Sequence, residues 1–495
     1  MSGAPDVRRG WLHLASGAGL GRIGGFLANL ALSRLLGPAD LGLFNLMATT
    51  VQTGDTLVRL GGDFALNYEL GGEAGALRTP RGRGLLAAFS LQNLLATVVM
   101  LAGLALWLGP GHGLFPPSLG EQPRRLWGAL LLLMVGLEAI CAVPWEALLV
   151  GGDTRRLALR QGVFLPLRLL LAAVGAAWGQ VGGALIGWTL VALIQPLWLA
   201  GSLRGIWPPP RAQWRWPGQA WGRLLRRGLP FYAANLLSSL LFFPLLLSLA
   251  SRSGLGDVGY LRIGQILQQL FALLPGTLVP VLFLRLRQAE SFGARMRQVE
   301  TVFRLLWSLL LLVLLAYCLV DGWLIRLFFG ASFLPSVGPT RIMLLTALVE
   351  VLLQILIQPL MSSGLMRRYA LLLNGGTVVA ALVGWLLVPR LGLTGFLIAK
   401  LLVALLPLLP LLLAARHAFV EAPRLLLPLA ISGATGLSFF SANLWPTPMV
   451  ALGTAWGLGE VAVERWALAL AMLALALGQR RDFRDLLRSL VAFQS

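Results

Sequence analysis

The chain has 495 residues, of which 57% are apolar and only 12% charged, and its mean hydropathy is +0.79. A soluble domain carries roughly 25% charged residues, so these figures exclude both an ordinary soluble enzyme and a disordered chain. A net charge of +20 would suggest nucleic acid in a soluble protein; here its meaning depends on where the arginines fall, since Lys400 is the only lysine.

A membrane-crossing helix needs about 20 mostly apolar residues. By that rule the sequence predicts an all-α polytopic membrane protein with about 14 transmembrane helices. In chain order the spans are 14–35, 41–62, 84–107, 126–149, 157–178, 181–203, 229–250, 258–283, 303–328, 338–362, 369–388, 393–415, 425–445 and 457–478. The first contains Arg22 and Asn29 and lacks a convincing cleavage site, so it is expected to be a retained helix and not a signal peptide. Pro144, Pro166, Pro196, Pro275 and Pro359 fall inside spans, where neighbouring groups re-satisfy the carbonyls that a kink frees. The last span is crowded at its start by Glu460, Glu464 and Arg465.

Alternate loops divide the arginines roughly four to one. The rich set includes Arg8, Arg9, Arg78, Arg81, Arg83, Arg155, Arg156, the cluster from Arg204 to Arg227, Arg367, Arg368 and the tail arginines from Arg480. The rich side is expected to be cytoplasmic, which places both termini inside and requires an even number of spans. In the loop 204–228, Trp221, Leu224 and Leu225 share a helical face with Arg223, Arg226 and Arg227 around it. That predicts a cytoplasmic interfacial linker helix. In the tail, Phe483, Leu486, Leu487, Leu490 and Val491 repeat the pattern.

Three turns recur six spans apart. Gly37 with Asp40-Leu41-Gly42-Leu43-Phe44 matches Gly254 with Asp257-Val258-Gly259-Tyr260-Leu261. Gly152-Asp153-Thr154-Arg155-Arg156-Leu157-Ala158 matches Gly364-Leu365-Met366-Arg367-Arg368-Tyr369-Ala370, and Gly179-Gln180-Val181-Gly182 matches Gly392-Leu393-Thr394-Gly395. An even offset gives parallel repeats about an axis along the membrane normal, with a substrate site expected where they meet. The expected division is 1–203 for a first six-helix lobe, 204–228 for the linker, 229–416 for a second six-helix lobe, 417–478 for a C-terminal helix pair, and 479–495 for an amphipathic cytoplasmic tail.

The stretch Ala31-Leu32-Ser33-Arg34-Leu35-Leu36-Gly37-Pro38-Ala39-Asp40-Leu41-Gly42-Leu43-Phe44 resembles the opening of polysaccharide-export flippases, members of the multidrug/oligosaccharidyl-lipid/polysaccharide exporter superfamily. The Gly-x-x-Arg-Arg-x-Ala turns are also similar to that group. The resemblance implies two lobes around a central cavity, alternating access, and a sugar carried on a polyprenyl (pyro)phosphate as cargo. It also implies a bacterial inner membrane and, as partners, membrane lipids and other polysaccharide-assembly membrane proteins.

Ionisable groups in hydrocarbon are costly and are expected to pair or to face a cavity. Span one carries Arg22 and Asn29; span two carries Asn45, Thr49, Gln52, Asp55 and Arg59; span eight carries Arg262 and Gln265. Arg22 and Asp55 lie at matching depths, and Asp55 and Arg59 are i, i+4 neighbours, so Arg22, Asp55 and Arg59 are expected to form a charged cluster. Guanidinium groups grip phosphate oxygens by paired hydrogen bonds. Arg22, Arg59 and Arg262 look like the cationic cavity residues of lipid II flippases. The expected substrate-binding set is therefore Arg22, Asn29, Asn45, Gln52, Asp55, Arg59, Arg262 and Gln265. Other intramembrane candidates are Glu138, Glu146, Arg168 and Glu350 with Gln354 and Gln358. Glu350 and Lys400 form a possible interhelical ion pair, structural or coupling.

Cys141 and Cys318 sit in apolar runs, and His13, His112 and His417 are far apart. They suggest neither a disulfide framework nor a metal site. No cofactor, catalytic residue or nucleic-acid partner is expected. Two alternatives stand beside the flippase: an organic-cation antiporter of the same superfamily, and a membrane glycosyltransferase or polysaccharide polymerase. Spans one and seven contain no acid, which weighs against the former. The loop Leu108–Pro123 lacks clustered acids, which weighs against the latter.

Overall fold

The computed structural model describes residues 7–70, 76–108, 121–202, 218–271, 292–362 and 366–415, with short pieces at 286, 428, 431–435 and 470–472. All of its described elements are helical. Apart from those short pieces, the expected helix pair at 417–478 lies outside these residues, as do the tail at 479–495 and the linker before Gly218.

Helix α1 (Val7–Arg59) has 53 residues. At 1.5 Å per residue that is on the order of 80 Å, far more than one crossing of a hydrocarbon core about 30 Å thick. Gly37 resolves this. Its φ of 70° and ψ of 178° are non-helical, and Pro38 follows at the first position of the new helix, where its missing N–H costs nothing. The two halves are the expected spans one and two. The second half ends at Leu60 and Gly61, both with positive φ, and the chain resumes as α2 (Gly62–Leu70).

A 3-10 turn (Ala76–Arg78) leads into α3 (Pro80–Trp107), whose start is fixed by the Thr79 hydroxyl accepting from the Gly82 N–H. Helix α4 (Glu121–Val150) follows, then α5 (Thr154–Leu159), capped by Asp153, and a π-helical segment (Arg160–Phe164) that runs into α6 (Leu165–Ser202). Next are α7 (Gly218–Ser253) and α8 (Leu255–Phe271), separated by Gly254 at φ 95°. Then come α9 (Phe292–Phe328), a 3-10 segment (Ala331–Ser336), α10 (Val337–Ser362) and α11 (Met366–Ala415). Seven of the described helices are long and apolar enough to cross a membrane. Two of these, 49 residues at Thr154–Ser202 and 43 at Leu371–Leu413, suffice for two crossings each.

The kinks carry the repeat. Gly37 and Gly254 both adopt positive φ, as expected. At the third match the backbone sets a different register. Gln180 has φ 49° and ψ −134°, and Gly392 has φ 55° and ψ −128°. The equivalent of Gly392 is therefore Gln180, not Gly179 as the glycine-to-glycine match suggested. Contacts agree: Gly183 lies against the Gly175 backbone and Gly395 against the Leu387 backbone, eight residues back in both cases. Matching by residue type misplaced the turn because one repeat makes it without glycine. Gly152 also has positive φ; Gly364 lies outside the described residues.

Two compact units are present, 1–262 and 263–495. In the first, α7 packs with α1, α2 and α3. Leu224 is buried among Leu66, Leu70, Leu85, Phe89 and Val150, with Trp221 against the same cluster. The apolar face expected on the membrane surface is thus covered by protein. A second cluster stacks Trp145, Phe164 and Trp198, with ring centroids 5.3 to 6.3 Å apart. In the second unit α10 is central, with 89% of its most apolar stretch buried, and Arg341 donates to Asp321 at 2.5 Å.

One contact positions α8. Gly42 lies against the Leu255 carbonyl and Gly259 against the Pro38 carbonyl, each so closely that a β-carbon would overlap the oxygen. Gly42 and Gly259 are equivalent in the repeat, as are Pro38 and Leu255, so the contact is reciprocal.

Candidate functional site

The expected site residues fall into separate groups along the helices. The first lies at the Arg59 end of α1. The Arg59 Nε donates to both oxygens of Asp55 at 3.1 Å. Its Nη1 lies 3.4 Å from Glu146 and 3.9 Å from Asp63. Glu146 accepts a second bond from Asn67 at 2.9 Å. All four charged side chains are mostly buried, from 12% exposed for Glu146 to 24% for Asp55. The helix break at Leu60–Gly61 runs through this group: Asp55 and Arg59 precede it, Asp63 and Asn67 follow it. The break frees carbonyls, and neighbours take them up. Gln92 of α3 donates to the Arg59 carbonyl at 3.0 Å, and the Tyr232 hydroxyl of α7 donates to the Thr56 carbonyl at 2.5 Å. Gly61 and Gly228 touch backbone to backbone beside it.

Arg59 and Asp55 are therefore joined, as expected. Arg22 is half-buried in the first half of α1, where Gly17 and Gly21 pack on Ala158 and Gln161. Arg160, in the π-helical segment, stands over the Trp145 ring at 5.0 Å and within electrostatic reach of Arg59, Glu138, Asp55 and Glu146. Arg168 pairs with Glu138, donates to Gln195 at 3.1 Å and faces the Trp188 ring.

The second group lies towards the Gly37 end. Asn29 precedes the Gly37 bend by eight residues, Asn45 follows it by eight, and Arg262 follows the Gly254 bend by eight. All three thus sit about 12 Å from their bends along the helices. The Arg262 Nη2 donates to the Asn29 Oδ1 at 3.0 Å, and the Asn29 Nδ2 donates back to the Gly25 carbonyl at 2.7 Å. That second bond fixes the amide so that its oxygen faces Arg262. The Arg262 Nε is buried and has no partner among the described residues, and the same is true of the Asn45 Nδ2. No carboxylate pairs with Arg262 among the described residues. Along the helix direction, Arg59 and Asn29 are separated by on the order of 20 Å. Gln52 is exposed and Gln265 half-buried.

The third group is in the second unit. Gln268 donates to Glu350 at 2.8 Å, and Lys400 lies within electrostatic reach of Glu350. Gln358 donates to the Gln354 carbonyl of its own helix at 2.8 Å. Among the described residues no set of His, Cys, Asp and Glu is arranged to hold a metal ion.

No protein-family model matches the sequence, and neither does any curated protein. Solved structures do match. The lipid II flippase MurJ in an inward closed conformation superposes with a TM-score of 0.65 over 94% of this chain and 99% of its own, at 12% identity. A mutant of the Vibrio cholerae MATE transporter VcmN gives a TM-score of 0.57 over 83% and 96%, at 14% identity. An inward-facing multidrug resistance MATE transporter of the MOP superfamily gives 0.54 over 82% and 95%, at 15% identity.

The fold is that of the MOP-superfamily transporters.

Sequence reasoning missed Asp63, Asn67 and Arg160 in this MOP fold. Asp55, Arg59, Asp63 and Asn67 recur every four residues, a spacing that marks one face of a continuous helix, although here the chain breaks at Leu60–Gly61 between the two pairs. The signal was present, but span two was ended at 62. Arg160 carried no such signal, because the π-helical turn that aims it shows only in the backbone.

Proposed function

We propose that the protein is a flippase that moves a polyprenyl-(pyro)phosphate-linked oligosaccharide across a bacterial inner membrane by alternating access, for cell-surface polysaccharide assembly. The arginine distribution puts both termini in the cytoplasm in this reading, so the Gly37 bend faces outward and the Arg59 end inward. The observation that carries the proposal is Arg262. A guanidinium in a shielded site, held by one neutral amide and matched by no carboxylate among the described residues, calls for a counter-charge. A phosphate head group supplies it. The free Nε and the free Asn45 amide are both donors, as an anion requires. The likeness to a lipid II flippase supports a lipid-borne cargo.

In this scheme Arg22, in the inner half of α1, draws the head group in, and Arg262 receives it further out. Asn29 holds the Arg262 guanidinium in place. Gln52 and Gln265 face the sugar, while the prenyl chain stays in lipid. Asp55 and Arg59 line the inner half; the charge of Arg59 is already answered by carboxylates, which leaves the main head-group role to Arg262. Membrane lipids and other polysaccharide-assembly membrane proteins are its expected partners. No bond is made or broken in the scheme.

Deletion of the gene tests it. A lipid-linked sugar should accumulate on the inner leaflet, and Arg22→Ala and Arg262→Ala should rescue poorly, with Arg22→Lys and Arg262→Lys intermediate. Absence of any accumulating lipid-linked sugar, or full rescue by Arg262→Ala, would overturn the reading. A second reading, the organic-cation antiporter, is favoured by the three carboxylates gathered at Arg59 and by the likeness to the MATE transporters. It predicts cation uptake that survives Arg262→Ala. A sugar-transfer assay on the purified protein tests the glycosyltransferase alternative.

A further inference from the structure

We propose that the reciprocal contact of Gly42 with Leu255 and Gly259 with Pro38 is the outer seal of the transport path, and that opening it takes Arg262 off Asn29, so the head-group site exists only while the seal is shut. The seal stands on the backbone contact alone. The coupling rests also on the reading of Arg262 as the head-group cation.

Three observations carry it. First, the contact is self-complementary between equivalent positions of the two repeats. A contact of that kind closes on itself about the repeat axis, as isologous interfaces do. Second, it is made of backbone on backbone. Small residues let helices approach this closely in a membrane, and such surfaces part without unlocking interdigitated side chains. Third, Gly259 and Arg262 are three residues apart, on one face of α8. That face meets α1 on both sides of the Gly37 bend, Gly259 at Pro38 and Arg262 at Asn29. Tilting α8 away from Pro38 therefore withdraws the guanidinium from Asn29 in the same movement. The Asn29 amide cannot follow, because its nitrogen is tied to Gly25.

The consequence is directional. With the seal shut, the fixed guanidinium offers its free Nε edge to an anion. With the seal open, the guanidinium loses its support as the site meets external water, and the head group leaves. Release would thus follow from the same motion that opens the way out.

A β-carbon at Gly259 or Gly42 overlaps a carbonyl oxygen, so α1 and α8 would have to part by on the order of 1 Å to restore van der Waals distance. Gly259→Ala and Gly42→Ala should each bias the protein to the open seal. The test uses the full-length protein in nanodiscs, with Cys141→Ser and Cys318→Ser as background and Ser33→Cys as reporter. Ser33 is fully buried between Asn29 and the bend. Labelling by a membrane-impermeant maleimide reads the seal, and binding of farnesyl pyrophosphate reads the head-group site. If the sealed fraction falls to about a tenth, labelling should rise and affinity drop about tenfold. Arg262→Ala should weaken binding and, because it removes a bond made only with the seal shut, should not lower labelling. Monodisperse elution and unchanged tryptophan emission establish folding, and the two glycine variants stand in for one another if one fails.

Unchanged labelling in the folded glycine variants would overturn the seal. Faster labelling with undiminished affinity would overturn the coupling. Undiminished affinity in Arg262→Ala would overturn the head-group reading and the coupling with it, while labelling alone would still decide the seal.

Discussion

Removing the guanidinium of Arg59 should destabilise the protein more than any other single change in the inner half of α1. The side chain is only 13% exposed and is shared by Asp55, Asp63 and Glu146. Exposed pairs are worth about 0–1 kcal/mol, but deleting one partner of a buried pair costs about 3–5 kcal/mol, because the other charge is left without an answer. Here three carboxylates are left together, though Asp55 at 24% exposed keeps some water. We therefore place the cost of Arg59→Ala near the lower bound, about 3 kcal/mol, a shift of over a hundredfold in the folded-to-unfolded ratio. Adding Glu146→Gln removes one of the stranded charges and should restore about 1 kcal/mol. Denaturant titration in micelles, followed by tryptophan fluorescence, reads both values. A loss below about 1 kcal/mol, or strict additivity of the two substitutions, would refute the reasoning that Arg59 is the hub of the broken helix.

Three further changes follow from the same geometry. Gln180→Gly should raise the melting temperature, because Gln180 holds a conformation that costs about 1–3 kcal/mol in a non-glycine residue and that Gly392 adopts in the other repeat; an unchanged or lower value would contradict the assigned register. Tyr232→Phe removes the hydroxyl that caps the Thr56 carbonyl and should cost about 1 kcal/mol in the same titration, a neutral result showing that the bond is replaced by water. Lys400→Met alone should cost more than Lys400→Met combined with Glu350→Gln, with a coupling of about 1 kcal/mol; additive effects would separate the two groups.

Much of the fold was legible because membrane spans are long and their turns are marked. Gly37-Pro38 and Gly254 announce breaks that no helix-forming residue would make, and the structure breaks there. The turns at Gly37 and Gly254 were found in register. The Gln180 turn was misplaced by one residue, since glycine matched glycine while the backbone matched conformation. The linker face around Leu224 shows a different limit. An apolar stripe states that a helix buries one side, but not whether lipid or protein covers it, and here α2 and α3 do.

The site was legible in composition and less so in arrangement. Depth counting paired Asp55 with Arg59 correctly, since i, i+4 contacts are local. For Arg22 it supplied depth alone, because equal depth on two helices does not say which faces meet. Arg262 and Asn29 are 233 residues apart in sequence, and each was singled out as a polar residue in an apolar span; their bond required the tertiary contact of α1 with α8.

Transport of a lipid-linked sugar through a site built on Arg262 is the central claim, and reconstitution measures it most directly. Proteoliposomes should flip a fluorescent polyprenyl-pyrophosphate-linked sugar, read by its loss of protection from an impermeant quencher. Arg262→Ala should abolish the flipping, and Arg262→Lys should retain a fraction, because an ammonium keeps the charge without the planar fork. Flipping that is unaffected by Arg262→Ala, or no flipping by a wild-type protein that instead moves an organic cation, would contradict the account.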